Sequence, residues 1–454
     1  MTELPDFLKQ GEAARLFPVL ADTSRENRSA SILLALLTQV PALAAGLLGT
    51  ANCRVGKRTK VEAFTEIVTK QFDHVDKRPD GLIVASTGKS RWSALVEAKI
   101  GKSDLNSDQV SKYLEVARAN GIDAVITISN QFVARADHSP VSVPKNLLRK
   151  TSLYHWSWMG IRTQCEIIAH QKAVDDPEQF YLLSEFLRFL RHPGTGVESF
   201  TQMGPRWKEL VQSVSNHGHL KKSDPDVEEE VGGWFEEERD LCLQLSRHVG
   251  QSVQTIIERK LVSDPVSRLK DGIGRLVETQ TLTSAFRVPD CASDLELCAD
   301  LPRKTVAIGM KLKAPLDRKS TKARVNWLLR MLPVDDERLQ IRAHWPGRTL
   351  PSLQPLSRLR DDPLAIQTDN PDATPHGFEV LLIEGLGKRF SGRRTFVEDL
   401  ERIVPEFYDL VAQHLRAWQA PPPRPVTKKA GESEVEQGEP DVAGLEPKNA
   451  HAAP

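Results

Sequence analysis

The stretch that decides the fold reads Arg78-Pro79-Asp80-Gly81-Leu82-Ile83-Val84, followed across Thr87-Gly88-Lys89-Ser90 by Trp92 to Ile100, with Ala94-Leu95-Val96-Glu97-Ala98-Lys99 at its centre. Trp92 to Ile100 is apolar and partly β-branched, which predicts a strand. Side chains two apart on a strand share a face, so Glu97 and Lys99 point the same way. Leu82, Ile83 and Val84 predict a neighbouring buried strand with Asp80 at its mouth, where Pro79 is tolerated because it need not donate to the ladder. If the two strands pair as a hairpin, Asp80 and Glu97 meet at one cation. Mg²⁺ takes oxygen ligands and binds through one or two carboxylates while keeping several waters. Asp80, Glu97 and the carbonyl of Ala98 supply such a set, and Lys99 is the group to stabilise phosphoryl charge or orient an acidified water.

The segments on either side add to this pattern. A helix is predicted from Asp104 to Asn120, with its N-cap at Asn106 or Ser107 and its stop at Gly121. On it Gln109 and Tyr113 are four apart and share a face. Upstream, Val61, Phe64, Val68 and Phe72 form an apolar stripe that predicts a helix over Lys60 to Phe72. Glu62 and Glu66 lie on its flank, and Glu66 is the preferred additional metal ligand.

Taken together, Asp80, Glu97 and Lys99, with Glu66 before and Gln109 and Tyr113 after, resemble the PD-(D/E)XK nuclease superfamily, the restriction-endonuclease-like fold. The Gln109-to-Tyr113 spacing is similar to the Gln-x-x-x-Tyr helix of its RecB-type branch. The resemblance covers residues 60 to 130 by motif and extends towards 190 by general layout. It implies a helix, three mainly antiparallel strands, a second helix and a further strand at Asp123 to Ser129. It also implies an Mg²⁺- or Mn²⁺-dependent phosphodiesterase acting on nucleic acid, expected to be DNA, with Gln109 and Tyr113 orienting the substrate or Lys99. The alternative is a nucleic-acid- or protein-binding module built on a nuclease-like fold without cleavage activity of its own. A blander account makes Glu97 and Lys99 an exposed ion pair on an edge strand and Asp80 a turn residue. Against it stands the interruption of an otherwise apolar strand by both charges. Gly88-Lys89-Ser90 imitates the end of a phosphate-binding loop, but Ile83 stands where the first glycine belongs and a strand follows instead of a helix.

The 454 residues suffice for two or three domains with sizeable cores. Lys and Arg number 61, equal to Asp and Glu, so contacts to nucleic acid must come from local patches and not the overall field. Cys53, Cys165, Cys242, Cys291 and Cys298 make no CxxC pair, and their odd number suits a reducing cytoplasm. Each reads as a small buried hydrophobe. The N-terminus lacks the pattern of a signal peptide, and residues 6 to 19 predict a short helix. Residues 32 to 48 are the most apolar run. Thr38, Gln39 and Pro41 interrupt it, which favours a buried helix broken at Pro41 over a membrane anchor.

The expected organisation is a nuclease-like domain over 1–192, a helical connecting region over 193–262, an α+β accessory domain over 263–420 and a disordered tail over 421–454. In the first, Ser152 to Met159 predicts a strand with Trp156 and Trp158 in the core. In the second, Leu241, Leu245, Val249, Val253 and Ile257 form a drifting stripe that favours docking on the chain's own domain over a coiled-coil dimer. Its acidic runs, Glu228 to Glu230 and Glu236 to Glu238, read as a solvated face. In the third, strands are predicted at Val306 to Leu312, Val325 to Leu332, Leu339 to His344 and Phe378 to Glu384, then a helix from Thr395 to Trp418. Arg303, Lys304, Lys311, Lys313, Arg318, Lys319, Lys322 and Arg324 fit either a phosphate-binding face or charged edges that block aggregation. His344 and His376 read as ordinary. A homodimer or an activating protein partner stays open, because the chain carries no helicase or ATPase motif.

Overall fold

The structure is a computed structural model, and it describes residues 4–17, 24–71, 78–101 and 103–419. The expected tail therefore lies outside the described residues. The protein is mixed α/β, with a mixed six-stranded sheet and an antiparallel seven-stranded sheet, each flanked by helices.

The first sheet has the order β1 (Leu8–Ala13), β2 (Lys60–Thr69), β3 (Gly81–Thr87), β4 (Ser90–Ala98), β5 (Ala124–Ser129) and β6 (Ser152–Ser157). Neighbours are antiparallel up to β4, and β4, β5 and β6 run parallel. The β3–β4 hairpin closes on Gly88 and Lys89 between the paired residues Thr87 and Ser90. Gly88 has φ +60°, which a residue without a Cβ adopts freely.

Helices α1 (Arg25–Gln39) and α2 (Pro41–Thr50) meet at 112°, where Pro41 cannot continue the hydrogen-bond ladder of α1. Their leucines enter one core with Ile83, Val96 and Ile126, together with α4 (Trp158–His170) and α5 (Pro177–Arg191). The opposite sheet face packs on α3 (Ser107–Ala119) through Leu82, Leu95, Val110 and Leu114. No single helix among the described residues is long and apolar enough to cross a membrane. The apolar side chains of 32–48 that would anchor it are instead spent on the sheet.

Two expected helices are strands. Residues 8–13 form β1, and Lys60–Thr69 forms β2. The register of β1 against β2 shifts on either side of Gln10, and Glu66 sits in this irregular stretch with φ +50°. The extra residue resets the alternation, so Phe64 and Ile67, three apart, enter the same core. That spacing imitates a helix.

The second sheet has the order β12 (Ser352–Pro355), β11 (Leu339–His344), β13 (Gly377–Gly385), β10 (Thr305–Lys313), β9 (Leu295–Asp300), β8 (Thr281–Arg287) and β7 (Gln254–Thr255). It is accompanied by α6 (Trp207–Ser215), α7 (Pro225–Val249), α8 (Pro265–Thr279), α9 (Thr321–Leu329), α10 (Leu356–Asp361) and α11 (Arg393–Phe407). One core runs from Met203 to Leu415, so the helices of the expected connecting region pack in the same core as the accessory domain.

Val325 to Leu332, expected as a strand, belongs largely to α9. The Ser320 hydroxyl caps α9 at Ala323 N, and Val325 and Leu328 bury one face. The last helix stops at Phe407 and continues only as the π-turn Tyr408–Ala412. The acidic runs of α7 are a solvated face only in part: Glu228 and Glu229 are exposed and Glu236 is half-buried, whereas Glu230, Glu237 and Glu238 are buried, as is the nearby Asp240. Glu230 accepts from Arg206 N at 2.9 Å, and Glu238 accepts from Arg268 and from the Ser284 hydroxyl. Cys53, Cys165 and Cys242 are buried as expected, whereas Cys291 and Cys298 are half-buried.

Candidate catalytic centre

The β3–β4 register places Gly81 opposite Val96, which brings Asp80 beside the end of β4. Asp80 Oδ2 accepts from Ala98 N at 2.7 Å. This bond fixes the carboxylate against the strand that carries Glu97 and Lys99. Gly81 is required for the approach, because a Cβ there would lie 2.3 Å from Leu34 Cδ1 and 3.0 Å from Phe64 O. Gly81, the residue after Asp80, is therefore wedged by α1 on one side and β2 on the other.

Glu97 is 2% exposed. Its Oε1 accepts from Lys99 Nζ at 2.6 Å and from Gln109 Nε2 at 2.8 Å. Gln109 also donates to the Tyr113 hydroxyl at 2.8 Å, and Tyr113 in turn donates to Arg78 O at 3.0 Å. The helix behind these residues is set as the sequence predicts. Asn106 accepts from Gln109 N at 3.0 Å as the N-cap, and Gly121, with φ +66°, follows the C-terminus. Gln109 and Tyr113 thus hold Glu97 and the segment leading into Asp80, and Gln109 reaches Lys99 only through the Glu97 oxygen they share.

Glu97 Oε2 is buried and has no hydrogen-bond partner among the described residues. A buried carboxylate oxygen without a donor costs about 1–3 kcal/mol, more when charged. A cation removes that cost. The electrostatics point the same way. Burial, then the charge of Glu97, push Asp80 up to about 7. Burial also raises Glu97, against the opposing pull of Lys99. Burial alone would depress Lys99, but its hydrogen bond to Glu97 and the charges of Glu97, Asp80 and Glu26 outweigh it and hold the ammonium above its ordinary value. Two carboxyls so close carry excess negative potential that one lysine does not cancel.

Glu26, which the sequence reading did not single out, completes the cluster. It lies in the first turn of α1, and its Oε2 accepts from Lys99 Nζ at 3.2 Å. No local signal marks it, since it is 73 residues from its partner. Glu66, by contrast, is exposed in the irregular stretch of β2 and makes no hydrogen bond to Asp80, Glu97 or Lys99. Among the described residues, no group of three or more His, Cys, Asp or Glu side chains is arranged to hold a metal ion. Asp80, Glu97 Oε2 and the Ala98 carbonyl nevertheless match the donor chemistry that Mg²⁺ takes, because one or two carboxylates suffice for it.

Elsewhere, two of the eight residues of the expected basic face are ion-paired, and Lys304 and Arg318 are half-buried. Arg303 pairs with Asp300 and Lys311 with Glu296. Arg324 is buried and donates to the carbonyls of Arg318 and Pro375. Lys313, Lys319 and Lys322 remain exposed. His344 and His376 come within 6.3 Å, centroid to centroid, a proximity the sequence did not suggest.

No protein-family model matches the chain, and no curated protein is significantly similar to it.

Proposed function

We propose that the protein is a metal-dependent nuclease of PD-(D/E)XK type that hydrolyses phosphodiester bonds in nucleic acid, with DNA as the expected substrate. The observation that carries this reading is Glu97 Oε2, a buried, unpartnered carboxylate oxygen beside Asp80 and within the reach of a lysine. The succession α1, α2, β2, β3, β4, α3, β5 supports it, since three antiparallel strands, a helix and a further strand follow in the expected order, with α1 and α2 in place of the single helix expected over Lys60 to Phe72.

Asp80, Glu97 and the Ala98 carbonyl would hold Mg²⁺ or Mn²⁺. Such an ion acidifies a water and neutralises charge on the phosphoryl oxygens. Lys99, held by Glu97 and Glu26, supplies a fixed positive charge and N–H donors to the phosphate or the attacking water. Gln109 keeps one Glu97 oxygen occupied, which leaves the other as the oxygen that would take a cation.

A second reading is a nucleic-acid- or protein-binding module built on a nuclease-like fold, without cleavage activity of its own. Purified protein incubated with linear and closed-circular DNA in Mg²⁺ or Mn²⁺, beside Glu97→Ala and a chelator, separates the two. Metal-dependent cutting lost in the variant supports the nuclease. Binding of DNA without cutting by either protein supports the module.

A further inference from the structure

Between the six-stranded body and α7 lies a cavity of about 510 Å³, a size typical of ligand sites. Its charged lining is three arginines, Arg135, Arg239 and Arg287, against one aspartate, Asp137. They arrive from three separate segments: the loop after β5, the middle of α7 and the end of β8. His155 also lines the cavity and adds no charge. Its ring bonds to the Thr127 hydroxyl and to Gln131 O, each at 3.0 Å, and burial pushes it down to about 4.

The three guanidinium groups are not equivalent. Asp137 holds Arg135 through two bonds of 2.8 and 2.9 Å, and Asp294 holds Arg287 through two of 3.1 and 3.2 Å. Each pairing fixes a planar group and leaves further N–H donors for a ligand. Arg239 is half-buried, and its one hydrogen bond among the described residues is a 3.7 Å contact to Cys242 Sγ. No described carboxylate stands within ion-pair distance of it. The buried Glu238 and Asp240 feel its charge only at longer range, so the partly desolvated guanidinium lacks a direct ion pair, and its fork geometry matches phosphate. Asn52, whose amide donates to the Tyr154 hydroxyl at 3.0 Å, and Gln164 also line the space.

We propose that this cavity binds a phosphate-bearing ligand, with Arg239 as the principal anion contact and Arg135 and Arg287 flanking it. The phosphate belongs either to a free nucleotide or to the backbone of a nucleic-acid strand. The cavity also adjoins the catalytic centre. Trp156 and Ser157 line it, and the next residue, Trp158, donates its indole N–H to Lys99 O at 2.8 Å. Occupancy therefore bears on the backbone that carries Lys99, while binding itself does not depend on the nuclease reading.

The test is calorimetric titration of the full chain in EDTA with ATP and, separately, with a short oligothymidylate. It is repeated on Arg239→Ala, Arg287→Ala and Glu97→Gln, each checked for folding by circular dichroism. Arg287 lies on the surface, so its variant keeps the test valid if loss of Arg239 perturbs the fold. Saturable binding weakened roughly 10-fold or more by either arginine substitution, and retained in Glu97→Gln, supports the site. Response to ATP identifies a free nucleotide, and response to the oligonucleotide alone identifies a strand. Absence of binding by both probes, or binding unchanged in both arginine variants, overturns it.

Discussion

Lys99 Nζ stands 3.2 Å from Glu26 Oε2, joining the end of β4 to the first turn of α1. With Glu97 on its other side at 2.6 Å, the ammonium is held between two carboxylates. The first prediction concerns this outer contact. Glu26→Gln keeps the shape and removes the charge, so Lys99 loses an orienting partner while Glu97 retains its own. Cleavage should fall roughly 10- to 100-fold, the range seen when a supporting partner of a catalytic group is lost, with the loss in kcat and little change in KM. Wild-type kcat in Glu26→Gln would refute the positioning role.

Glu97→Ala and Lys99→Ala should both abolish cleavage, but they should differ in stability. Removing Lys99 leaves Glu97 buried with no compensating cation, at a cost of about 3–5 kcal/mol if the carboxylate stays ionised. Glu97→Ala combined with Lys99→Ala removes both charges and should recover most of that loss without recovering activity. Urea denaturation of the two single variants and the double variant measures this. An additive double variant would show that the pair is not coupled.

Gly81→Ala tests how Asp80 is placed. The added Cβ would meet Leu34 Cδ1 at 2.3 Å and the Phe64 carbonyl at 3.0 Å. The leucine can turn aside, but the carbonyl belongs to the β2 ladder. Overpacking of about 1–3 kcal/mol is expected, together with reduced cleavage as Asp80 shifts from Ala98 N. Unchanged thermal stability and activity would show that the approach of α1 is not constrained there.

The buried acids of α7 predict a pH dependence of stability. Burial pushes Glu230 up to about 7 and raises Glu237 well above the ordinary value, with the charges of Asp240 and Glu401 adding to the latter. Both Glu237 oxygens lack hydrogen-bond partners among the described residues. A carboxyl with a folded-state pKa above its unfolded value binds more protons when folded, so stability falls as pH rises between the two values. The limiting slope is about 1.4 kcal/mol per pH unit for each group. Glu237→Gln should therefore flatten the loss of stability between pH 5 and 8 and raise stability at pH 8. Parallel curves for variant and wild type would show that Glu237 does not titrate in this range.

The local chemistry of the centre was legible because it is carried by short-range rules. Period-two alternation placed Glu97 and Lys99 on one face, the Gly88 turn set the hairpin, and Asn106 and Gly121 bounded the helix that presents Gln109 and Tyr113. What escaped was set by events away from the local pattern. The irregular pairing around Glu66 shifted the phase of β2 and made a strand look helical, which assigned the acidic role to an exposed residue. A serine cap decided α9 against strand-like composition.

By itself, then, the sequence determined the hairpin, the acid and Glu-x-Lys on its strands, and the capped helix behind them. Each depends on residues within a few positions of one another. Only the tertiary structure decided that Glu26 joins Lys99, that the acids of α7 are buried, and that three arginines from separate segments face one cavity. Those relationships depend on how helices and sheets pack, and packing brings together residues whose separation along the chain leaves no periodic trace.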